Sequence, residues 1–304
     1  MPEICLLGTG GMLPLKNRFL TSLYAEYNGK AILIDCGEGT QVAFAQHGLK
    51  MSKVETILIT HSHADHITGL PGLLLSVGNC SRIQPLDIYI PESAEKMINN
   101  LISVCGGLPY EVEIHILPDR ESTVFTADKI NPMLTVSTIP LEHSVNCIGY
   151  KLSLARKPVF EPLKAKQLGI PVKYWKKLHS GLPVVLDDGR KFFQKDVIKE
   201  QRSSINISYI TDTLPIDTIS DFVRDSDLFI CEGMYGDISK KQSMNEKGHM
   251  LMQDACRIAS QANVKNLWLT HYSPAESNPH DYEEELKNIF ENVNISDDGD
   301  KISL

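Results

Sequence analysis

Short β-branched, apolar runs recur along the whole chain, separated by polar and glycine-rich turns, and they predict strands near 3–7, 21–27, 31–35, 54–60, 86–90, 112–117, 134–139, 148–154, 206–211, 227–231 and 265–270. Apolar positions at helical spacing predict helices near 39–47, 69–77, 92–104, 247–262 and 280–292. Strands in both halves, with helices between and after them, predict an α/β protein of two sheets sandwiched by helices. No internal repeat, heptad or low-complexity tract interrupts this pattern.

The loop after the run Lys53 to Thr60 carries His61, His63, Asp65 and His66, four potential metal ligands within six residues. A strand-to-helix loop is a common seat of α/β active sites. In H-x-H-x-D-H the first two imidazoles can grip one metal, and Asp65 with His66, displaced around the turn, can face a second. Imidazole and carboxylate donors suit zinc, with manganese or iron as substitutes. A lone His-x-His is usually a solvated loop; three His and an Asp together point to metal.

Two metals need more ligands than one loop supplies. His143 precedes the strand-like stretch Ile148 to Leu152, Asp212 ends the run Ile205 to Thr211, and His271 ends Asn266 to Thr270. A carboxylate between two metals offsets part of their mutual repulsion. Each residue alone would more often be a cap or a surface group, but all three follow or flank apolar strands.

With these residues the chain resembles the metallo-β-lactamase superfamily, and within it the short form of ribonuclease Z, over nearly its whole length. The resemblance rests on Leu7-Gly8-Thr9-Gly10, on Ile34-Asp35-Cys36-Gly37-Glu38-Gly39-Thr40-Gln41, and on Gly69-Leu70-Pro71-Gly72-Leu73-Leu74 after the metal loop. The metal loop identifies only the superfamily; the other segments are narrower. The resemblance implies an αββα four-layer sandwich of two mixed sheets flanked by helices, with an inserted basic arm. It implies two zinc ions per subunit, one held by His61, His63, His143 and Asp212, the other by Asp65, His66, Asp212 and His271. Asp65 would also accept a proton. Glu232 and His249 would form a pair behind the metals that helps protonate the leaving group.

The later motifs depart from the family. Cys231-Glu232-Gly233-Met234 stands where the family has His-Glu-Ala-Thr, and His249-Met250-Leu251 where it has His-Ser-Thr. The family's Arg after the last metal His is absent, since His271 is followed by Tyr272-Ser273-Pro274-Ala275-Glu276.

Composition bounds these readings. With 304 residues, 42% hydrophobic and 22% charged, the chain can bury a large core as a single domain spanning 1–304. Seven Cys without any C-x-x-C argue against a disulfide framework or a zinc ribbon. The start Met1-Pro2-Glu3-Ile4-Cys5 has no signal-peptide pattern and no apolar run is long enough for a membrane span, so cytoplasmic residence is expected.

Charge changes the picture more. Residues 156–202 contain twelve Lys or Arg and five Asp or Glu, a net of +7, while the remaining 18 basic and 33 acidic residues give −15. A basic projection on an acidic body can steer an anionic polymer, although charge alone favours a solvated insertion. The segment is similar to the family's arm that grips the tRNA elbow, with Lys164, Lys166, Lys173, Lys176 and Lys177 as expected contacts. Val172-Lys173-Tyr174-Trp175-Lys176-Lys177 replaces the family's Gly-Pro stretch and adds two aromatics suited to packing on sugar or base.

What the resemblance implies is an endoribonuclease that removes 3′ trailers from tRNA precursors by attack of a metal-held hydroxide on a phosphodiester, working as a homodimer. A related hydrolase of small phosphodiesters or sulfate esters is the first alternative. A noncatalytic RNA-binding module is a remote one, opposed by the cost of burying so many His and Asp without metal.

Overall fold

The computed structural model describes residues 1–304. They divide into two compact units, one formed by Met1–Ser153 with Asn206–Leu304, the other by Leu154–Ile205.

The larger unit contains two seven-stranded sheets. From edge to edge the first runs Lys301–Ser303, Glu3–Gly8, Ser22–Tyr27, Lys30–Ile34, Val54–Leu58, Leu86–Pro91 and Val112–Leu117. It is antiparallel as far as Lys30–Ile34 and parallel beyond. The second runs Val293–Ile295, Leu267–Thr270, Leu228–Glu232, Ile205–Ile210, Cys147–Leu154, Leu134–Leu141 and Val124–Thr126, with its first four strands parallel. Parallel strands covered on both faces read as near-continuous apolar runs, as Leu228–Glu232 does up to its final residue, whereas Val54–Leu58 carries Glu55 and Thr56.

Helices cover the outer face of each sheet. Thr40–Gln46, Leu70–Asn79 and Glu95–Ser103 place Phe44, Leu73, Leu74, Val77 and Ile98 against Leu33, Ile57 and Ile88. Thr218–Val223, Met252–Gln261 and Glu283–Ile289 pack Ile219, Ala255, Ala259 and Leu286 against Phe229, Leu267 and Leu269. Between the sheets, Tyr150 donates to the Ile59 carbonyl at 2.7 Å and the Ile148 N–H donates to that of Thr60 at 3.0 Å. The layers are therefore αββα.

The helix expected at 247–262 opens later, at Met252, and a separate helix that apolar spacing did not predict, Lys241–Lys247, precedes it. Gly248 takes a left-handed φ of 73° and stops the first helix, the usual role of glycine just past a helix end. His249 thereby lies in the turn. The helix expected at 280–292 is shortened to Glu283–Ile289, after a 3₁₀ turn from Pro279 to Tyr282. No helix is long and apolar enough to cross a membrane.

The smaller unit has a core of its own. Ala165, Ile170, Leu178, Val184, Phe192 and Val197 are buried together, with Phe160, Tyr174 and Trp175 packed against them. Two short helices, Pro162–Gln167 and Trp175–His179, and two strand pairs carry these residues. Trp175 Nε1 donates to the Ile170 carbonyl at 2.9 Å. The two aromatics expected to meet sugar or base are thus half-buried in this unit's packing. Lys164, Lys166, Lys173, Lys176 and Lys177 are exposed on it.

Candidate metal centre

The chemistry-bearing residues converge where strands of both sheets end, the position at which open α/β sheets present their ligands. Asp35 follows Lys30–Ile34, the metal loop follows Val54–Leu58, Asp212 follows Ile205–Ile210, and His271 follows Leu267–Thr270. Three of these residues leave their strands in the left-handed region, with φ of 60° at Asp35, 52° at Asp212 and 60° at His271. Such backbone costs about 1–3 kcal/mol per residue and persists where the surroundings impose it.

Asp212, 1% exposed, divides its carboxylate between two groups of donors. Oδ2 lies 3.5 Å from His61 Nε2 and 3.6 Å from His143 Nε2, and His143 Nε2 lies 3.2 Å from His63 Nδ1. Oδ1 lies 3.0 Å from His271 Nε2 and 3.5 Å from His66 Nε2, and these nitrogens are 3.4 Å and 3.7 Å from Asp65 Oδ2. All seven residues expected to hold metal are therefore brought together, as two groups meeting at Asp212.

The donor set fits divalent metal. Four ligands at 2.0–2.1 Å in a tetrahedron sit roughly 3.4 Å from one another, and the spacings above span 3.0–3.7 Å. His66 Nε2 and His271 Nε2 face each other at 3.1 Å, and buried His61 Nε2 has no hydrogen-bond partner. Two buried imidazole nitrogens aimed at each other and at shared carboxylates either share a proton or flank a metal ion, and the donor-rich surroundings suit the ion.

The imidazoles are held from behind. His66 Nδ1 lies 2.8 Å from Asp35 Oδ2, His143 Nδ1 donates to the Gly248 carbonyl at 2.8 Å, and His61 Nδ1 lies 3.0 Å from Thr60 Oγ1. Each contact fixes a ring and points its other nitrogen at the cluster. Asp35 is the residue that sequence reasoning left without a role. Its carboxylate also accepts from the Thr60 N–H at 2.8 Å, so it fixes both the loop and one of its histidines. His271 Nδ1 has no such partner; its ring lies where a Cβ on Gly11 would be, 2.6 Å away.

Electrostatics follow burial. Burial pushes His61 and His143 down to about 4, which leaves both neutral at pH 7, the form that ligates metal. Burial would raise Asp65, but His271 and His66 outweigh it and hold the carboxyl well below the usual range. Asp212 is lowered in the same way, with His271, His66 and His61 overcoming desolvation. A third face of the site is Glu232, the last residue of its strand, whose Oε2 lies 2.9 Å from His249 Nδ1. His249 also groups with Asp212 and His271 at ligand-like spacing.

Elsewhere, Asp87, Glu113 and His115 cluster on the first sheet. Lys129 Nζ lies 2.7 Å from Asp87 Oδ1 and 3.5 Å from Glu113 Oε2 and already supplies their cation.

Residues 2–158 match the family model described as anti-Pycsar protein Apyc1. Ribonuclease Z of Clostridium acetobutylicum is 44% identical over 301 residues, 98% of this chain and 96% of that protein. Ribonuclease Z of Lachnospira eligens is 40% identical and covers 100% of this chain and 98% of its own. Among solved structures, the short form of human tRNase Z superposes with a TM-score of 0.67 at 22% identity, covering 99% of this chain and 98% of that one. The metallo-β-lactamase fold protein YhfI of Bacillus subtilis gives 0.69 at 19%, again covering 99% and 98%. The structural likenesses establish the fold; the sequence likeness over the full chain establishes that this protein belongs to the ribonuclease Z family of metallo-β-lactamase-fold hydrolases.

Proposed function

We propose that this chain is a dinuclear zinc endoribonuclease that removes 3′ trailers from tRNA precursors, leaving a 3′-hydroxyl on the tRNA and a 5′-phosphate on the trailer. The observation that carries the reading is Asp212, whose two oxygens face two separate groups of imidazole and carboxylate donors. His61, His63 and His143 would hold one ion and Asp65, His66 and His271 the other, with Asp212 shared. A divalent metal, when bound, lowers the pKa of its water from about 15.7 to roughly 7 and offsets phosphoryl charge.

The chain's own groups do the rest. Asp65, kept ionised, accepts a hydrogen bond from the attacking water and orients it toward phosphorus. Asp35 keeps His66 turned to the cluster through the 2.8 Å contact at Nδ1. His249, whose Nδ1 is engaged by Glu232, has Nε2 free to give a proton to the departing 3′ oxygen. Lys164, Lys166, Lys173, Lys176 and Lys177 would bind the tRNA body by charge. The same proposal includes a homodimer in which one subunit's arm serves the other's site, tested by light scattering.

The test is cleavage of a tRNA precursor and of bis(p-nitrophenyl) phosphate, each with and without chelator. Chelator-sensitive cleavage of the precursor at its 3′ end is expected. Hydrolysis of the small diester alone would assign the chain to small esters, and no hydrolysis of either would leave RNA binding.

A further inference from the structure

Charge is unevenly distributed at the mouth of the metal centre. The cavity there measures about 330 Å³, and outside the cluster and His249 it is walled by Met12, Ser144, Met234, Tyr235, Met244 and Lys247. Three thioethers and the two hydroxyls, of Ser144 and Tyr235, carry no charge, and the Tyr235 hydroxyl accepts from Ser273 Oγ at 2.6 Å. Lys247 is the one Lys or Arg in that wall.

Its position is fixed by the turn that holds the cluster. Lys247 ends its helix, and the next residue, left-handed Gly248, accepts a hydrogen bond from His143 Nδ1 at 2.8 Å. The His249 N–H donates to Met244 at 3.0 Å and closes the same turn. The Lys247 side chain is exposed and forms no ion pair. Glu246 accepts from the Gln242 amide, and Asp254 pairs with Lys241 and Arg257. An exposed lysine is ordinarily a solvated surface group. This one is anchored two residues from His249 on the rim of a cavity that is otherwise mostly apolar, where a cation facing a phosphate is screened less than in open water.

We propose that Lys247 is a phosphate-contacting residue: its ammonium takes a non-bridging oxygen of the substrate phosphodiester at the cavity mouth, the one Lys or Arg contact that wall provides. The assignment rests on the phosphodiesterase reading above. Lys supplies a compact charge without the planar fork of Arg, so it would hold the phosphate by attraction and leave its orientation to the cluster.

The test compares full-length wild type, Lys247→Met and Lys247→Arg, matched for metal content and melting temperature. Lys247→Met is expected to lower kcat/KM on the tRNA precursor by about 10- to 100-fold, the scale of one hydrogen bond to a charged group, with Lys247→Arg recovering most of it. Loss on bis(p-nitrophenyl) phosphate as well places the contact at the reacting phosphate; loss on RNA alone places it at a flanking one. Independently of turnover, precursor binding in chelator should lose about 0.7 from the slope of log K against log salt, the amount expected for one phosphate contact on a single strand. A wild type that cleaves nothing overturns the phosphodiesterase reading, and the salt slope still decides Lys247. Rates within twofold of wild type with an unchanged slope, or a Lys247→Arg variant no better than Lys247→Met, would overturn the assignment.

Discussion

Glu232 carries no solvent exposure and divides its carboxylate between two tasks: Oε2 lies 2.9 Å from His249 Nδ1, and Oε1 accepts the Thr213 N–H at 2.6 Å. Thr213 follows Asp212, so one buried side chain sets both the shared carboxylate's backbone and the histidine facing it. His249→Ala is therefore expected to lower kcat by roughly 10²-fold or more while metal content stays unchanged. Metal analysis decides between roles, because loss of metal in this variant would make His249 a ligand, as its spacing to Asp212 and His271 would also allow.

The same pair has a pH signature. Burial alone would lower the His249 imidazole, but Glu232, with Asp212 and Asp65 behind it, outweighs burial and raises it to about 9. A folded value above the unfolded value of about 6.5 means stabilisation that is complete below pH 6.5 and lost as pH rises through about 9. In chelator-treated protein, the melting-temperature gap between wild type and Glu232→Gln should narrow as pH rises from about 6.5 to about 9. A gap constant from pH 6 to 10 would show that the contact is not ionic.

Asp212 permits a separation of charge from shape. Its φ of 52° suits Asn nearly as well as Asp and strains Ala, so Asp212→Asn removes the negative charge with little backbone cost. Asp212→Asn should lose hydrolysis and at least one metal while keeping its melting temperature in chelator, whereas Asp212→Ala should lose stability as well. Full metal content and normal turnover in the Asn variant would remove Asp212 from the centre.

The contiguous part of the site was legible in the sequence because His61, His63, Asp65 and His66 lie within six residues after an apolar strand. His143, Asp212 and His271 were legible through one shared trait, their place beside strands. Asp35 shares that place beside a strand, yet its role was not legible, since its partner His66 is 31 residues away and a single Asp after a strand looks like a cap. The turn at Gly248 was masked because Met250, Leu251 and Met252 carry the apolar spacing of the following helix back to it, and only the left-handed backbone shows the break. Val293–Ile295 and Lys301–Ser303 have three residues each, too few for alternation to register.

Asp35 yields the next expectation. Asp35→Asn keeps the size of the group and removes the charge that faces His66 Nδ1 at 2.8 Å. Partners behind metal-bound histidines typically contribute 10- to 100-fold to affinity. Metal titration should show a loss of about that size, concentrated in the ion held by His66. Equal affinity for both ions at the wild-type level would reduce Asp35 to a loop anchor through Thr60.

The basic unit at Leu154–Ile205 separates recognition of a large substrate from chemistry on a small one. Deleting its centre would remove Ile170, Leu178 and Val184 from its core and confound binding with folding. Lys164 Nζ donates to the Ile198 carbonyl at 2.8 Å, so it also serves the unit's own structure. Changing Lys173, Lys176 and Lys177 together to Gln leaves that core intact and removes three exposed charges. Remote binding energy positions a large substrate, whereas a small ester meets only the cluster and its walls. The triple variant should therefore lower kcat/KM on a tRNA precursor, leave bis(p-nitrophenyl) phosphate hydrolysis unchanged, and reduce the salt slope of precursor binding by about 2–3, three contacts at roughly 0.7–0.9 each. Equal losses on both substrates would mean that these lysines support the fold, and undiminished processing of the precursor would count against the arm as the tRNA grip.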